Sequence, residues 1–394
     1  MKSSRKRILI INSCFDIGGI ETALVNMANE LCAIYDVDLL VYKPNGPMRS
    51  KLDSRINVLE PSLALKAIGM SPKEVLKTKN PFMIILKFAF ALWTKIFDNR
   101  IPIFIVSLLQ PKLKGYDLAI AYRGETRKKS LLSGYIRLMD RCVEAKKKAV
   151  WIHYDAEQYK IPYAHNEKYY QKTDKIFGVS ESVAEKFKKY NPSVADKTDF
   201  CLNFVDYKSI YENSEKEQKE KYPENKFICF SACRLCEDKG LLRAVKALSP
   251  ALKKHKDIMW YVAGDGPERK EFEQAIKNEG LEKQIILLGN LNNPYPYMKN
   301  ADLYLSLSYN EAAPVVYTEA KVLSVPVFST ETTSSYEMLD DGTEDFICEN
   351  SEEGIRNAFN DLAENREKVI NAKRNRKVYC PNNKESLSKI AALF

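Results

Sequence analysis

Ser308–Ala320, SYNEAAPVVYTEA, is the stretch on which the fold turns. It follows an apolar run, Ala301–Leu307, in which Leu303, Leu305 and Leu307 alternate with Asp302, Tyr304 and Ser306, the pattern of a buried strand. A helix follows. Pro314 suits the first helical position, where its missing N–H costs nothing, and Val316, Tyr317, Ala320 and Val322 recur at roughly helical spacing. Glu311 then falls on the loop and Glu319 one to two turns into the helix. A loop carboxylate accepts from hydroxyls, while N–H groups at a helix start donate to anions, a combination suited to a nucleotide sugar. Solvated carboxylates on a helix face are the competing reading, since two glutamates eight apart recur by chance.

Length and charge narrow the classes. A chain of 394 residues exceeds one small core and predicts two or three domains. Its 45% hydrophobic content is that of a soluble globular protein, and nine Cys without a secretory signal point to a reducing compartment. In MKSSRKRILIINS the apolar run after the basic residues is short and lacks a cleavage site, so it reads as a first strand. Cys233 and Cys236 form a C-x-x-C with no second pair at zinc spacing, which favours ordinary thiols. The net charge of +9 is uneven: residues 1–205 carry 34 Lys+Arg against 21 Asp+Glu, and residues 206–394 carry 27 against 31. The basic half would attract anionic lipid head groups or a diphosphate-bearing acceptor. No basic-aromatic nucleic-acid module is present, so nucleic acid is not expected as a partner. A merely Lys-rich soluble surface is the plainer alternative.

Strands alternate with helices from the start: Arg7–Ser13, a helix Ile20–Cys32, then Val37–Tyr42, the opening of a doubly wound parallel sheet. Gly18 and Gly19 lie in the strand-to-helix turn, where backbone can approach an anionic ligand; a tight turn without one is the alternative. No G-x-G-x-x-G is present. Between Pro61 and Pro111 the alternation breaks. In PFMIILKFAFALWTKIF (81–97) Lys87, Ala91, Thr94, Lys95 and Asp98 share one narrow stripe, leaving a wide apolar face with Phe82, Phe88, Phe90 and Trp93; IPIFIVSLL (101–109) follows. Too short and charged to span a bilayer, this segment either lies in a membrane interface with its lysines among the head groups or packs on the sheet as a core helix. Alternation resumes at 116–122, 147–153, 175–180 and 198–205, placing His153 at a strand end and Arg123 and Glu125 in a loop after a strand. Position alone makes Arg123 and Glu125 plausible acceptor-side groups, with Glu21 on the first helix beside them. Residues 207–225 read as a helix and linker, and a second set of strands starts at Phe227. The D-x-D at Asp36 and Asp38 falls at a strand start, where a structural role is expected, and no metal site is predicted.

The order and spacing of GGIETALVNMANEL (18–31), WIH (151–153), VSESVAEKF (179–187), NFVD (203–206), RLCEDKG (234–240), AGDGPE (263–268) and EAAPVVYTEAKVLSVPV (311–327) resemble the family 4 retaining glycosyltransferases over nearly the whole chain. The resemblance implies the GT-B fold, two Rossmann-like doubly wound parallel-sheet α/β domains facing a central cleft. The corresponding boundaries are 1–205 (acceptor side, with 61–111 the candidate membrane-facing part), a linker 206–225, a nucleotide-sugar domain 226–380, and a terminal helix 381–394 returning to the first domain. It also implies that Arg234 and Lys239 bind the donor diphosphate, Glu319 the ribose, and Glu311 the donor sugar, with His153 facing that sugar. Backbone of Ala312, Ala313, Pro314, Val315, Gly18 and Gly19 would meet sugar and phosphate, Asp265 and Gly266 would border the cleft, and Asn290 and Leu291 the base. Two fixed cations favour a leaving diphosphate as its charge develops. The family reaction retains anomeric configuration by same-face attack and needs no metal and no cofactor.

Three positions depart from the family pattern: Ala312, where a Gly is common and a positive φ would be costly; Ser324, where Gly is usual; and Glu344–Asp345, where small residues are frequent. None removes a charged group. The expected function is transfer from a nucleoside-diphosphate sugar, UDP-linked by default, to a glycan or lipid-linked acceptor of capsule or lipopolysaccharide type, in the cytoplasm and peripheral to the inner membrane face. Competing classes are a sugar-nucleotide epimerase of the same fold and a noncatalytic GT-B protein binding a nucleotide sugar or a partner enzyme. The presence of Arg234, Lys239, Glu311 and Glu319 together favours transfer.

Overall fold

The computed structural model describes residues 5–157, 163–339, 344–377 and 379–394. The chain divides into two compact units, Met1–Phe204 with Asn383–Phe394, and Val205–Asn382. Both are parallel-sheet α/β domains.

In the first unit β1 (Arg7–Cys14), β2 (Asp36–Lys43), β3 (Asn57–Leu59), β4 (Leu113–Ala121), β5 (Val143–Ile152), β6 (Lys175–Gly178) and β7 (Thr198–Phe200) form one sheet ordered β3-β2-β1-β4-β5-β6-β7. Every pairing is parallel. β1 runs ILIIN with Ile8, Leu9, Ile10, Ile11 and Asn12 all fully buried, as a parallel strand covered on both faces must be. Asp38 Oδ2 accepts from Arg7 Nη2 at 3.0 Å and from Tyr116 OH at 2.6 Å, so the D-x-D ties three strands together. The C-terminal helix Lys384–Ala391 belongs to this unit: Ser386 Oγ donates to Leu202 O (3.0 Å), Lys389 Nζ to Phe200 O (2.9 Å), and the Phe394 ring stacks on Tyr35 at 5.0 Å.

Residues 63–109 form four helices, Leu63–Gly69, Pro72–Lys77, Pro81–Ile96 and Arg100–Leu109. Ser62, Ser71 and Asn80 cap the first three with side-chain oxygens. The helix Pro81–Ile96 packs through Met83, Lys87, Phe90 and Thr94, with Met83 against Ala67 and Val75. Lys87 therefore points inward, as the core-helix alternative would have it and not among head groups: its Nζ donates to Ile68 O at 3.2 Å, a carbonyl in the last turn of Leu63–Gly69, where helix carbonyls lack an intrahelical donor. Burial holds the Lys87 ammonium below its usual pKa, with Glu74 opposing.

In the second unit β8 (Phe227–Ala232), β9 (Ile258–Ala263), β10 (Ile285–Gly289), β11 (Leu303–Ser306), β12 (Val327–Thr330) and β13 (Phe346–Cys348) pair in the order β10-β9-β8-β11-β12-β13, again all parallel. Alternate residues build two cores: Phe227, Cys229, Leu303 and Leu305 pack with the helix Leu241–Lys254 on one face, and Ile228, Phe230 and Tyr304 with Tyr317 and Val325 on the other. Residues 206–225 pack within this unit. Asp206 caps the helix Tyr207–Ser214, Asn293 Nδ2 donates to Asn213 O (2.7 Å), and Tyr222 OH donates to Tyr297 O (2.9 Å).

Two of the three departures acquire a structural account, and the third a harmless one. Ser324 takes φ 57, a left-handed conformation that glycine would adopt without strain. Asp345 is fully buried, its Oδ1 accepting from Val327 N (2.8 Å) and Arg376 Nη2 (2.5 Å), so it anchors β12 to the segment after the helix Glu367–Asn375. Ala312 is not among the residues with positive φ, so its Cβ carries no such penalty.

Candidate functional site

In the second unit the chain leaves β8 toward β9 on one side and returns at β11 on the other, which makes the β8/β11 boundary the topological switch point where open parallel sheets bind ligands. The loops leaving these strands, 233–240 and 307–314, meet there. Lys239 Nζ lies 2.5 Å from Glu311 Oε1, and Ser308 Oγ donates to the same oxygen at 2.7 Å. Tyr309 N donates to Asp238 O at 2.9 Å. Gly240, at φ 63, presses against Leu307 O so closely that a Cβ would come within 2.5 Å of it. Arg243 completes the clamp, donating to Leu307 O (3.1 Å) with its guanidinium 3.9 Å from the Tyr309 ring centre. The Lys239 and Glu311 side chains keep 27% and 13% of their surface. Burial alone would lower the Lys239 pKa, but the adjacent Glu311 carboxylate overrides it and holds the ammonium above its ordinary range. The two charges are thus fixed at the sheet's end and partly open to solvent.

Arg234 is exposed on the same 233–240 loop, five residues before Lys239. The AGDGPE loop lies flat on this segment: Cys233 N donates to Ala263 O, Leu235 N to Asp265 O (both 3.0 Å) and Glu268 N to Leu235 O (3.1 Å). Its glycines serve that contact, since a Cβ on Gly264 would meet Cys233 O at 1.8 Å and one on Gly266 would meet Leu235 O at 2.2 Å. Asp265 closes its own turn, accepting from Gly266 N (2.7 Å) and Arg269 Nη1 (3.3 Å). Asn290 is exposed and Leu291 half-buried just after β10, whose Gly289 O accepts from Gly264 N at 2.7 Å.

The helix Val315–Val322 starts after Ala312, Ala313 and Pro314, with Pro314 in the capping position rather than inside the helix as expected, and no side chain caps it. Glu319 on this helix is buried and accepts from Tyr295 OH at 3.0 Å. Glu311 and Glu319 therefore enter different hydrogen-bonded groups. Tyr295 escaped sequence reasoning, although NNPYPYM after β10 offered the signal of a Pro-flanked aromatic at a loop-to-helix turn. Burial, then the Glu319 charge, pushes the Tyr295 phenol well above its usual pKa, so it is a donor at any working pH.

The first unit has its own switch point between β1 and β4. Glu21, buried on the helix Gly19–Cys32, receives Arg123 Nη2 at 2.5 Å and Cys14 Sγ at 3.6 Å, while Arg123 Nε donates to Asn12 Oδ1 at 3.1 Å. Asn12 is a second residue that sequence reasoning passed over. Gly18 caps that helix in extended conformation, and a Cβ there would come 2.6 Å from Glu21 Oε2. His153, just past β5, is half-buried with its ring 4.7 Å from that of Tyr122, and its buried Nε2 has no hydrogen-bond partner among the described residues. Burial, reinforced by the Arg123 charge, drops its pKa to about 3, so the imidazole is neutral. Glu125 does not join Arg123 as expected. Its carboxylate faces inward, accepting from Arg137 Nη2 (3.1 Å), Arg137 N (3.3 Å) and Ser133 Oγ (3.2 Å), and this buried ion pair leaves it no acceptor-side role. Among the described residues no cluster of His, Cys, Asp and Glu could hold a metal ion.

The profile of the family described as glycosyl transferases group 1 matches residues 212–378. That segment lies within the second unit and contains Arg234, Lys239, Glu311 and Glu319. Among curated proteins, the chain is 25% identical over 182 residues to the N-acetyl-alpha-D-glucosaminyl L-malate synthase of Bacillus anthracis, covering 45% of this chain and 47% of that protein. It is 24% identical over 169 residues to the O-antigen biosynthesis glycosyltransferase WclY of Escherichia coli, covering 42% and 46%. The match thus spans less than half the length of these relatives. Among solved structures, Anabaena Alr3699/HepE in complex with UDP superposes with a TM-score of 0.66 at 18% identity over 98% of both chains. At that identity the likeness concerns the fold, and the fold of this chain is GT-B.

Proposed function

We propose that this protein is a retaining glycosyltransferase that moves a sugar from a nucleoside-diphosphate sugar, UDP-linked by first choice, to a glycan or lipid-linked acceptor in cell-surface polysaccharide synthesis. The observation that carries the reading is the Lys239–Glu311 pair at the β8/β11 switch point, inside the segment matching group 1 glycosyl transferases. Arg234 and Lys239 take the donor diphosphate, Arg forking onto two oxygens and Lys acting as a point charge. As the sugar–phosphate bond breaks, negative charge grows on the leaving group and both cations bind it more strongly than they bind the intact donor. Glu311 accepts from sugar hydroxyls, and Glu319, oriented by Tyr295, accepts from the ribose. The acceptor hydroxyl attacks from the face the leaving phosphate occupies and passes its proton to that phosphate, so no separate base or metal is called for. The UDP bound by Alr3699/HepE supports the donor choice, and the O-antigen role of WclY the acceptor class. No helix among the described residues is long and apolar enough to cross a membrane, and we place the protein on the cytoplasmic face as a peripheral enzyme.

The test is thermal stability with UDP, GDP, ADP or CDP, wild type against Glu319→Ala. At about 100 times Kd a ligand stabilises by roughly 2.7 kcal/mol, a shift of about 5–10 °C for a unit of this size. UDP should raise the wild-type midpoint and leave the variant unchanged. Stabilisation by no nucleotide, or equally in both proteins, would overturn the assignment. Free UDP released only when acceptor is present would separate transfer from epimerisation.

A further inference from the structure

Half of the large hydrophobic side chains exposed among the described residues, 11 of 22, fall within residues 82–109. On Pro81–Ile96, the residues Phe82, Ile85, Phe88, Leu92, Trp93 and Ile96 lie within one arc of roughly 140° at helical rotation. Phe97 and, on Arg100–Leu109, Ile101, Phe104, Leu108 and Leu109 extend this face. The face turned inward is the mixed one, Lys87 and Thr94 beside Met83 and Phe90, so most of the helix's large apolar side chains are left outside. Single exposed leucines need no explanation, but a contiguous face of this size does.

Charge indicates what covers it. Residues 72–114 carry eight Lys+Arg against two Asp+Glu. Both acids are matched, Glu74 by Lys43 at 2.7 Å and Asp98 by Arg100 at 2.7 Å. Beside the apolar face opens a pocket of about 310 Å³ lined by Arg100, Arg137, Arg141, Lys172, Phe104 and Tyr169. Its one acid, Asp140, is neutralised by Lys172 at 2.6 Å. Arg137, 10% exposed, leaves Nε and Nη1 without hydrogen-bond acceptors among the described residues. Arg141 lies over the Phe104 ring at 4.5 Å and forms no ion pair among the described residues. The surface is therefore apolar at its centre and cationic at its edge, with unmet donors in between. Two copies pairing isologously through it would bring the same cationic edges together, which disfavours self-association.

We propose that the outward faces of Pro81–Ile96 and Arg100–Leu109 insert into the interface of an anionic phospholipid bilayer, with a lipid phosphate seated in the pocket of Arg100, Arg141 and Lys172. The apolar side chains enter the acyl boundary and the basic ones meet the head groups. This is independent of the chemistry proposed for the second unit.

Co-sedimentation with vesicles of phosphatidylcholine alone, and with about 30% phosphatidylglycerol, tests it. The full chain should partition at least ~10-fold more strongly onto the anionic vesicles and lose that preference at high salt. Trp93 should report insertion by a blue shift in emission, since Trp151 and Trp260, the other two tryptophans, are each only 1% exposed. Ile85→Glu with Leu92→Glu, at positions already exposed, should leave the thermal midpoint unchanged and abolish the blue shift. Arg141→Glu with Lys172→Glu should reduce binding to anionic vesicles about 10-fold and leave the weaker binding to neutral ones unchanged. Glycerol phosphate in solution should not compete. Absence of partitioning, a double glutamate variant that binds like wild type, displacement by free glycerol phosphate, or a wild-type dimer that the glutamates dissolve would each overturn the proposal.

Discussion

Removing Lys239 alone, Glu311 alone and both together separates a site from a staple. In Lys239→Met the Glu311 carboxylate, 13% exposed, keeps only Ser308 among its two partners at the shared oxygen. Breaking a fully buried ion pair costs about 3–5 kcal/mol because a charge is left uncompensated. The exposure remaining on both side chains lets water offset part of this, so about 2 kcal/mol is expected. For the 178 residues of Val205–Asn382 that is roughly 4–8 °C in Tm. Glu311→Gln should cost a similar amount by stranding the ammonium. The double variant Lys239→Met/Glu311→Gln removes both charges and should return to within about 1 kcal/mol of wild type, a coupling energy of roughly 3 kcal/mol. Activity should behave differently: each single variant loses about 10²–10³ in turnover and the double recovers none of it, because leaving-group charge still lacks its cation. The part of this stability linked to the Lys239 proton is present at pH 7–8 and is lost as pH rises through the elevated pKa of Lys239, so denaturation at pH 7–8 reads the coupling with the ammonium charged. Recovery of turnover together with stability in the double variant would show that the pair only holds two loops together.

Two further outcomes follow from the backbone and from the first unit. His153 titrates near 6.5 when unfolded and at about 3 when folded, so the unfolded state binds the extra proton and stability declines as pH falls through that window. The loss due to this residue should be about 2 kcal/mol between pH 8 and pH 5 in urea denaturation, and His153→Gln should flatten that slope; an unchanged slope would refute the neutral imidazole. Ser324→Gly should raise Tm by roughly 2–4 °C, since relief of the left-handed strain at φ 57 outweighs the added freedom of the unfolded chain by up to about 1 kcal/mol, and a lower Tm would count against it.

The alternation of strands and helices was legible because parallel strands buried on both faces are near-continuous apolar runs, as in β1 and β8. Short elements were not. β3, Asn57–Leu59, has three residues and no periodicity of its own, and the helix Tyr135–Cys142 begins at Gly134 in a left-handed conformation that no nearby pattern announced. Within the second unit, the charged residues of the loops after β8 and β11 could be named from the sequence, and their types suited a diphosphate and a sugar. That Lys239 reaches Glu311 rather than solvent depends on Gly240 letting one loop lie against Leu307 of the other.

Composition and order along the chain are enough to specify an α/β architecture, the basic first half, and the positions of Arg234, Lys239 and Glu311 in loops after strands and of Glu319 on the helix that follows, because each is a property of short segments. Which way a side chain faces is not. Glu125 and Arg123 stand two residues apart, yet one is sealed against Arg137 of the next helix, Tyr135–Cys142, and the other reaches Glu21 on the helix Gly19–Cys32, a choice made by how those helices pack on the sheet. Likewise the helix Pro81–Ile96 carries a polar stripe and an apolar face that periodicity alone could assign to either side. Ile68, at the end of Leu63–Gly69, offers a carbonyl that Lys87 satisfies, and that long-range contact turns the aromatic face outward.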